Sequence, residues 1–252
     1  MTLGTILVLF LGVPVITLVL AGWNGVGGAL ARDMELRAAL VRTAMTATMA
    51  TLLGVACGSP VAYLLARHRF RGRAVLAAII DVPLLIPHPV AGIALLLSLS
   101  RDSIIGRSLL TLGVHVVGSP GGIVAAMAFV AAPLYVSAAR EAFAKVDTVY
   151  ETVARTLGAT PWRVAYRITL PLAARGLLSA AVVMWSRAVS EFGAVVVLTY
   201  NPKVASILSY DRLTSYGLHE ALPVAVVIVL LSFVPLIILR ALRYERDIET
   251  TL

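Results

Sequence analysis

A chain of 252 residues that is 60% apolar, only 13% charged and of mean hydropathy +0.93 is not composed like an ordinary globular domain, where about a quarter of residues are charged. Its length leaves room for several membrane spans with short loops and little more. A net charge of +8 would suit nucleic acid, but the basic residues lie between apolar runs, a pattern that membrane topology explains and nucleic-acid binding does not.

Residues 3–23 form the first apolar run and end in Trp23, a residue type common at membrane interfaces. No basic residue precedes the run, and it is longer than a signal-peptide core, so it is expected to be a retained span. A polar loop is predicted over 24–37, with Arg32, Asp33, Glu35 and Arg37. A second span is predicted over 38–66, with Arg42 near enough to one end to snorkel. Cys57 is the one cysteine, so no disulfide can form within the chain; in its apolar run it is expected to be a small packing residue. The run RHRFRGR, residues 67–73, then supplies four arginines.

A third span is predicted over 74–100, and it contains the block DVPLLIPHPVAGIALL, residues 81–96. Pro83, Pro87 and Pro89 cannot all sit in an unbroken helix. Irregular backbone at membrane depth needs cover from protein or a water-filled cavity. The block is therefore either a packed kink or a wall of a pathway. Asp81 and His88 would share a face of a continuous helix. His88, between two prolines, is expected to be a hydrogen-bonded kink residue and not a metal ligand. A loop over 101–115 and a fourth span over 116–139, opened by Pro120-Gly121-Gly122, follow.

The most legible stretch is Asp147 to Pro171, DTVYETVARTLGATPWRVAYRITLP. Asp147 can N-cap a helix from Thr148, and Gly158 can end it. Thr160 and Pro161 start a second helix, and Pro171 is expected to interrupt it. On the first helix Val149, Val153 and Leu157 share a face, with Tyr150 and Ala154 beside them, leaving Glu151, Thr152, Arg155 and Thr156 for the other side. Helix pattern alone allows two roles: an amphipathic helix lying on the membrane surface, or a docking helix for a soluble partner.

A fifth span is predicted over 176–199, a polar connection over 200–220 and a sixth span over 221–239. The fifth span contains SRAVSEFGAVVVL, which sets Arg187 and Glu191 one turn apart on one face. Charges inside spans are rare and face a protein interior or cavity. The pair is either self-neutralising packing or the border of a substrate path. Six spans place both termini on one side. That side carries thirteen of the twenty-one lysines and arginines and the other six, so both termini and the Asp147–Pro171 loop are expected to be cytoplasmic.

The loop resembles the signature of ABC-transporter permeases: EAA, three residues, Gly, nine residues, Ile-x-Leu-Pro. Gly158, Ile168, Leu170 and Pro171 match in register. The EAA triplet falls on Thr152, Val153 and Ala154, of which only Ala154 matches; the acidic residue stands one place earlier, at Glu151. The resemblance implies a coupling helix seated in a groove of an ATPase subunit. Its candidate coupling residues are Glu151, Ala154, Arg155, Leu157, Gly158, Ala159, Pro161, Ile168, Leu170 and Pro171. SEFGA, from Ser190 to Ala194, resembles a signature of permeases for molybdate, tungstate and sulfate. YNPKVASILSYDRLTSYGL, residues 200–218, and IPHPVAGIALL, residues 86–96, are most similar to the molybdate/tungstate branch. From the proline-broken backbone, the charges inside the fifth span and that resemblance together, Asp81, Pro83, Pro87, His88, Pro89, Arg187, Ser190, Glu191 and Gly193 are candidates for the translocation path.

The fold so implied is all-α, an integral membrane protein of six transmembrane helices with the type I ABC importer permease fold. Residues 1–37 would hold the first helix and an external loop, 38–240 the permease core with its coupling loop at 140–175, and 241–252 a cytoplasmic tail. The implied partners are an ABC ATPase dimer, an extracytoplasmic molybdate/tungstate-binding protein, a second copy of the chain and the lipid bilayer of the cell membrane. No nucleic acid is expected. The chain lacks G-x-x-x-x-G-K-[ST]; its two lysines, Lys145 and Lys203, do not follow glycine. It also lacks H-E-x-x-H, and its four histidines are scattered. No catalytic, cofactor or metal site is therefore expected on it, and ATP with Mg would belong to the partner. Alternatives are a sulfate or thiosulfate permease, a channel, or a multi-span enzyme. The last would need clustered His, Asp or Ser residues at one membrane face, a cluster absent from the sequence.

Overall fold

The computed structural model describes the backbone of residues 2–249. Those residues form α1 (Thr2–Arg32), α2 (Met34–Arg67), α3 (Arg73–Leu85), α4 (His88–Leu99), α5 (Ile104–Thr111) and α6 (Pro120–Ala144). Then come α7 (Thr148–Thr156), α8 (Pro161–Val164), a π-helical turn (Ala165–Thr169), α9 (Leu170–Val189), α10 (Gly193–Leu198), α11 (Ala205–Tyr216) and α12 (Leu218–Glu249). Among the described residues there is no strand. Five helical segments are long and apolar enough to cross a membrane, and the bent pair α3–α4 makes a sixth. The tail expected from 241 continues α12 through Glu249; its side chains, and residues 250–252, lie outside the described residues.

Helix α6 is the centre, packed between α2 and α9. Small residues make this possible: Ala47, Ala50, Ala62, Ala126, Ala131, Ala139 and Ala180 are all buried in the core. Lipid supplies no hydrophobic drive between helices, so close backbone approach and dispersion contacts hold such a bundle. Among the described residues Tyr135 is the largest fully buried side chain, and its hydroxyl meets Ser59 Oγ at 2.6 Å, which satisfies a polar group that the interior would otherwise penalise. Large apolar side chains point outward instead, among them Leu7 and Phe10 on α1 and Leu52 and Leu53 on α2, as a lipid-facing surface requires.

Several sequence expectations are corrected here. No loop spans 24–37: α1 runs to Arg32, and Asp33 alone separates it from α2, accepting a hydrogen bond from Leu36 N at 3.0 Å. Gly25, in the interval expected to be a loop, serves helix packing, since a Cβ on it would lie 2.8 Å from Pro223 of α12, just as one on Gly22 would lie 2.7 Å from Val226. The third span is not straight. It bends by 114° between Leu85 and His88, so Asp81 and His88 do not share a face. Pro171 does not interrupt its helix either; the wide π-helical turn before it makes room for the ring, and one helical segment runs from Pro161 to Val189. The fifth span ends at Val189 and not at 199, unwinds over 190–192 and resumes as α10. The intervals 101–115 and 200–220 hold α5 and α11.

Candidate functional site

The Asp147–Pro171 loop sits at the end of the bundle where α2 finishes. Asp147 Oδ1 accepts from Val149 N at 2.9 Å and starts α7. Gly158, at φ +87°, ends it: Gly158 N donates to Arg155 O at 2.9 Å and Ala159 N to Ala154 O at 3.0 Å. That pair of bonds is the Schellman cap, which needs a left-handed residue. Thr160 then caps α8, with Pro161 in its first turn. These local expectations agree with the structure.

The two faces of α7 group as the helical projection sets them, with the apolar face turned outward and Glu151 turned inward. Val149, Tyr150, Val153 and Leu157 are exposed, and Trp162 and Tyr166, stacked at 6.3 Å, extend the apolar surface. Glu151 faces the bundle and is 4% exposed. Its Oε1 lies 2.8 Å from Arg67 Nε and accepts from Thr169 Oγ1 at 2.8 Å, while Oε2 lies 3.7 Å from Arg155. Arg67 also donates to Val146 O at 2.8 Å. Glu151 thus ties α7 to α2 and to the π-helical turn. Ala154 and Ala159 are half-buried and Ile168 and Leu170 partly covered, whereas Arg155, Gly158, Pro161 and Pro171 are exposed.

The second site lies where α9 unwinds. Arg187 Nη2 donates to Glu191 Oε2 at 2.7 Å and also to His88 Nε2, and Arg187 Nη1 lies 3.4 Å from Ser190 Oγ. Glu191 is 1% exposed, and its Oε1 accepts from Ala194 N at 2.8 Å, which caps α10. Ser206 Oγ of α11 donates to the Glu191 carbonyl at 2.9 Å. A Cβ on Gly193 would lie 2.8 Å from His88 Cβ and 3.1 Å from Pro89 Cδ. The structure therefore brings together His88, Pro89, Arg187, Ser190, Glu191 and Gly193. The hydrogen bond expected of His88 is present, and its partner is Arg187. Asp81 and Pro83 lie elsewhere, Asp81 beside Leu65 and Arg140 and Pro83 in a groove with Gly54, Cys57 and Phe129. Cys57 is exposed in that groove and not packed away. Pro87 is exposed at the bend.

A third cluster, not singled out by the sequence, lies at the opposite end. Arg212 of α11 reaches Asp33 at 2.6 Å and Glu35 at 3.4 Å. Lys203 pairs with Asp211 and lies 3.5 Å from Glu35, and Tyr200 donates to Asp211 at 2.6 Å. Arg212 holds the Asp33 carboxyl below its ordinary range, and Lys203, then Tyr200, does the same for Asp211.

An all-helical, multi-pass bundle with a capped apolar helix displayed at one end and ionised groups at an unwound point inside it has the design of a membrane transport subunit. The chain belongs to the family of binding-protein-dependent transport system inner membrane components, whose model matches residues 50–244. It is 38% identical over 240 residues to the molybdate/tungstate transport system permease protein WtpB of Thermococcus kodakarensis, covering 94% of this chain and 92% of that one. The protein of the same name from Pyrococcus furiosus is 39% identical over 241 residues, with 94% and 91% covered. Among solved structures, a bacterial ABC transporter involved in the import of the acidic polysaccharide alginate superposes with a TM-score of 0.72 at 19% identity, over 97% of this chain and 93% of that one. That likeness concerns the fold alone.

Proposed function

We propose that this chain is the permease subunit of an ATP-driven importer of molybdate and tungstate, working as a pair of copies with a separate ATPase dimer and an extracytoplasmic binding protein. The observation that carries this is α7: an apolar face left bare at one end of the bundle, on a helix clamped from behind by the buried Glu151–Arg67 pair. A surface helix free to tilt would not need that clamp. A helix that receives force from a motor does. Its end of the bundle also carries the arginine-rich 67–73 run, which supports a cytoplasmic orientation. ATP and Mg belong to the partner, and the oxyanion follows from the similarity to the molybdate/tungstate proteins.

The test is uptake into proteoliposomes containing the chain, its ATPase and its binding protein. ATP-dependent accumulation of tungstate and molybdate in preference to sulfate is expected. Uptake that proceeds without ATP would make the chain a channel, and preference for sulfate would move it to the sulfate branch.

A further inference from the structure

The break after α9 has two chemically distinct sides. On the inner side Glu191 has both oxygens engaged, Oε1 by Ala194 N and Oε2 by Arg187. On the outer side the Arg187 and His88 side chains are 23% and 45% exposed, and Ser190 is exposed. A guanidinium has five N–H donors and no acceptor. Its Nη2 serves Glu191 and His88, and Nη1 approaches Ser190. The Nε–H and the second Nη1–H are uncommitted among the described residues. Because arginine can only donate, His88 Nε2 is the accepting nitrogen and Nδ1 is the ring's donor. Ser190 Oγ faces Arg187 Nη1 and donates to Arg187 O at 3.0 Å, so it steadies the arginine and leaves the donating to its neighbours. The one acidic group is turned away and buried.

We infer that His88 and Arg187, the latter steadied by Ser190, form a donor way-station for a tetrahedral oxyanion dianion, held weak by the Glu191 carboxylate behind it. This rests on the oxyanion importer proposed above. A dianion crossing apolar surroundings needs donors and positive charge. A transporter must also let it go, and a neutralised arginine meets both needs. The donors are placed in advance. Gly193 lets α10 lie against His88 and Pro89, and Gly92 lets α4 lie against Ala194, whose carbonyl oxygen would be 2.8 Å from an added Cβ. The prolines that bend α3 away from α4 bring His88 to the break instead of leaving it in line with Asp81.

The experiment uses the complete transporter carrying Cys57→Ser and Ser190→Cys, with an anionic and a cationic methanethiosulfonate of equal size. The anionic reagent is expected to react about tenfold faster, because local positive potential concentrates anions, and tungstate should slow it. Equal rates, faster cationic labelling or no effect of tungstate would overturn the site. His88→Ala, which needs no thiol, should raise the substrate concentration for half-maximal uptake about tenfold through loss of the ring's donor to a charged ligand. Unchanged uptake in that variant also overturns the site. Absence of tungstate uptake by the unsubstituted transporter would defeat the functional reading itself; normal uptake without charge-selective labelling defeats only the way-station.

Discussion

Glu151 and Glu191 are both buried carboxylates with an arginine one helical turn away, yet they are built for opposite purposes. Glu151 meets Arg67 from a distant helix, Arg155 from its own and a threonine hydroxyl from the π-helical turn. Its arginine clamp partner is itself buried, at 8% exposure. Glu191 meets one arginine and its own helix cap, and that arginine keeps donors facing outward. Each glutamate has an arginine four residues away, but only Glu151 is also gripped by a buried arginine from another helix. What differs is whether a second helix supplies a buried arginine of its own.

The largest effect should come from opening the clamp. Glu151→Ala leaves Arg67 buried without its counter-ion, and removing one partner of a buried pair costs about 3–5 kcal/mol. The purified transporter should show this as a lower unfolding temperature, together with weaker stimulation of ATP hydrolysis by the loaded binding protein. Glu191→Gln should cost less. The amide oxygen still caps Ala194 N, and Arg187 is exposed enough for water to reach it. If Glu191→Gln proves the more damaging of the two, the distinction between clamp and face is wrong.

A smaller effect is expected at Gly158. Nothing lies within 4 Å of a Cβ placed there, so the cost of a side chain is the φ of +87° alone. A β-branched residue in that region costs about 1–2 kcal/mol. Gly158→Val should therefore misaim α7 and reduce stimulated ATP hydrolysis while membrane insertion is intact. Gly158→Asn, which tolerates the left-handed region better, should recover most of the loss. Equal behaviour of the two variants would show that the cap geometry does not matter to coupling.

The loop helix was legible because its signals are local. Asp147, Gly158, Thr160 and Pro161 each act on backbone within a few residues. The partners of the buried charges were not legible. Arg67 and Glu151 come from different helices, and His88 lies 99 residues before Arg187; only the tertiary fold sets them together. Prolines were poor guides to breaks. Pro60, Pro133 and Pro171 all sit within helices, whereas the unwinding over 190–192 occurs without any proline. A usable signal did exist there: Glu191 stands three residues before Ala194 and its side chain caps the new helix. The packing role of Gly25 was likewise not legible, because Pro223 of α12, against which it lies, is far along the chain.

The smallest effect belongs to the Asp33–Arg212 pair, which lies less deep than the clamp, at 20% and 15% exposure against 5% and 8%. Arg212 lowers the pKa of Asp33, so the carboxyl's contribution to stability is fully present above its ordinary value of 3.8 and is lost as the pH falls through the depressed native value. Water and salt screen the pair, so its removal should cost under about 1 kcal/mol. Arg212→Gln should accordingly lower the unfolding temperature slightly at pH 7, and the difference from the unsubstituted chain should close as the pH drops through that native value. Raising the salt to about 1 M should shrink the neutral-pH difference too, while leaving the Glu151→Ala deficit largely in place. A difference that persists once Asp33 is protonated would mean that Arg212 acts through packing of α11 against the α1–α2 junction, and not through its charge. A Glu151→Ala deficit that salt reduces equally would mean that the clamp is no drier than this partly exposed pair.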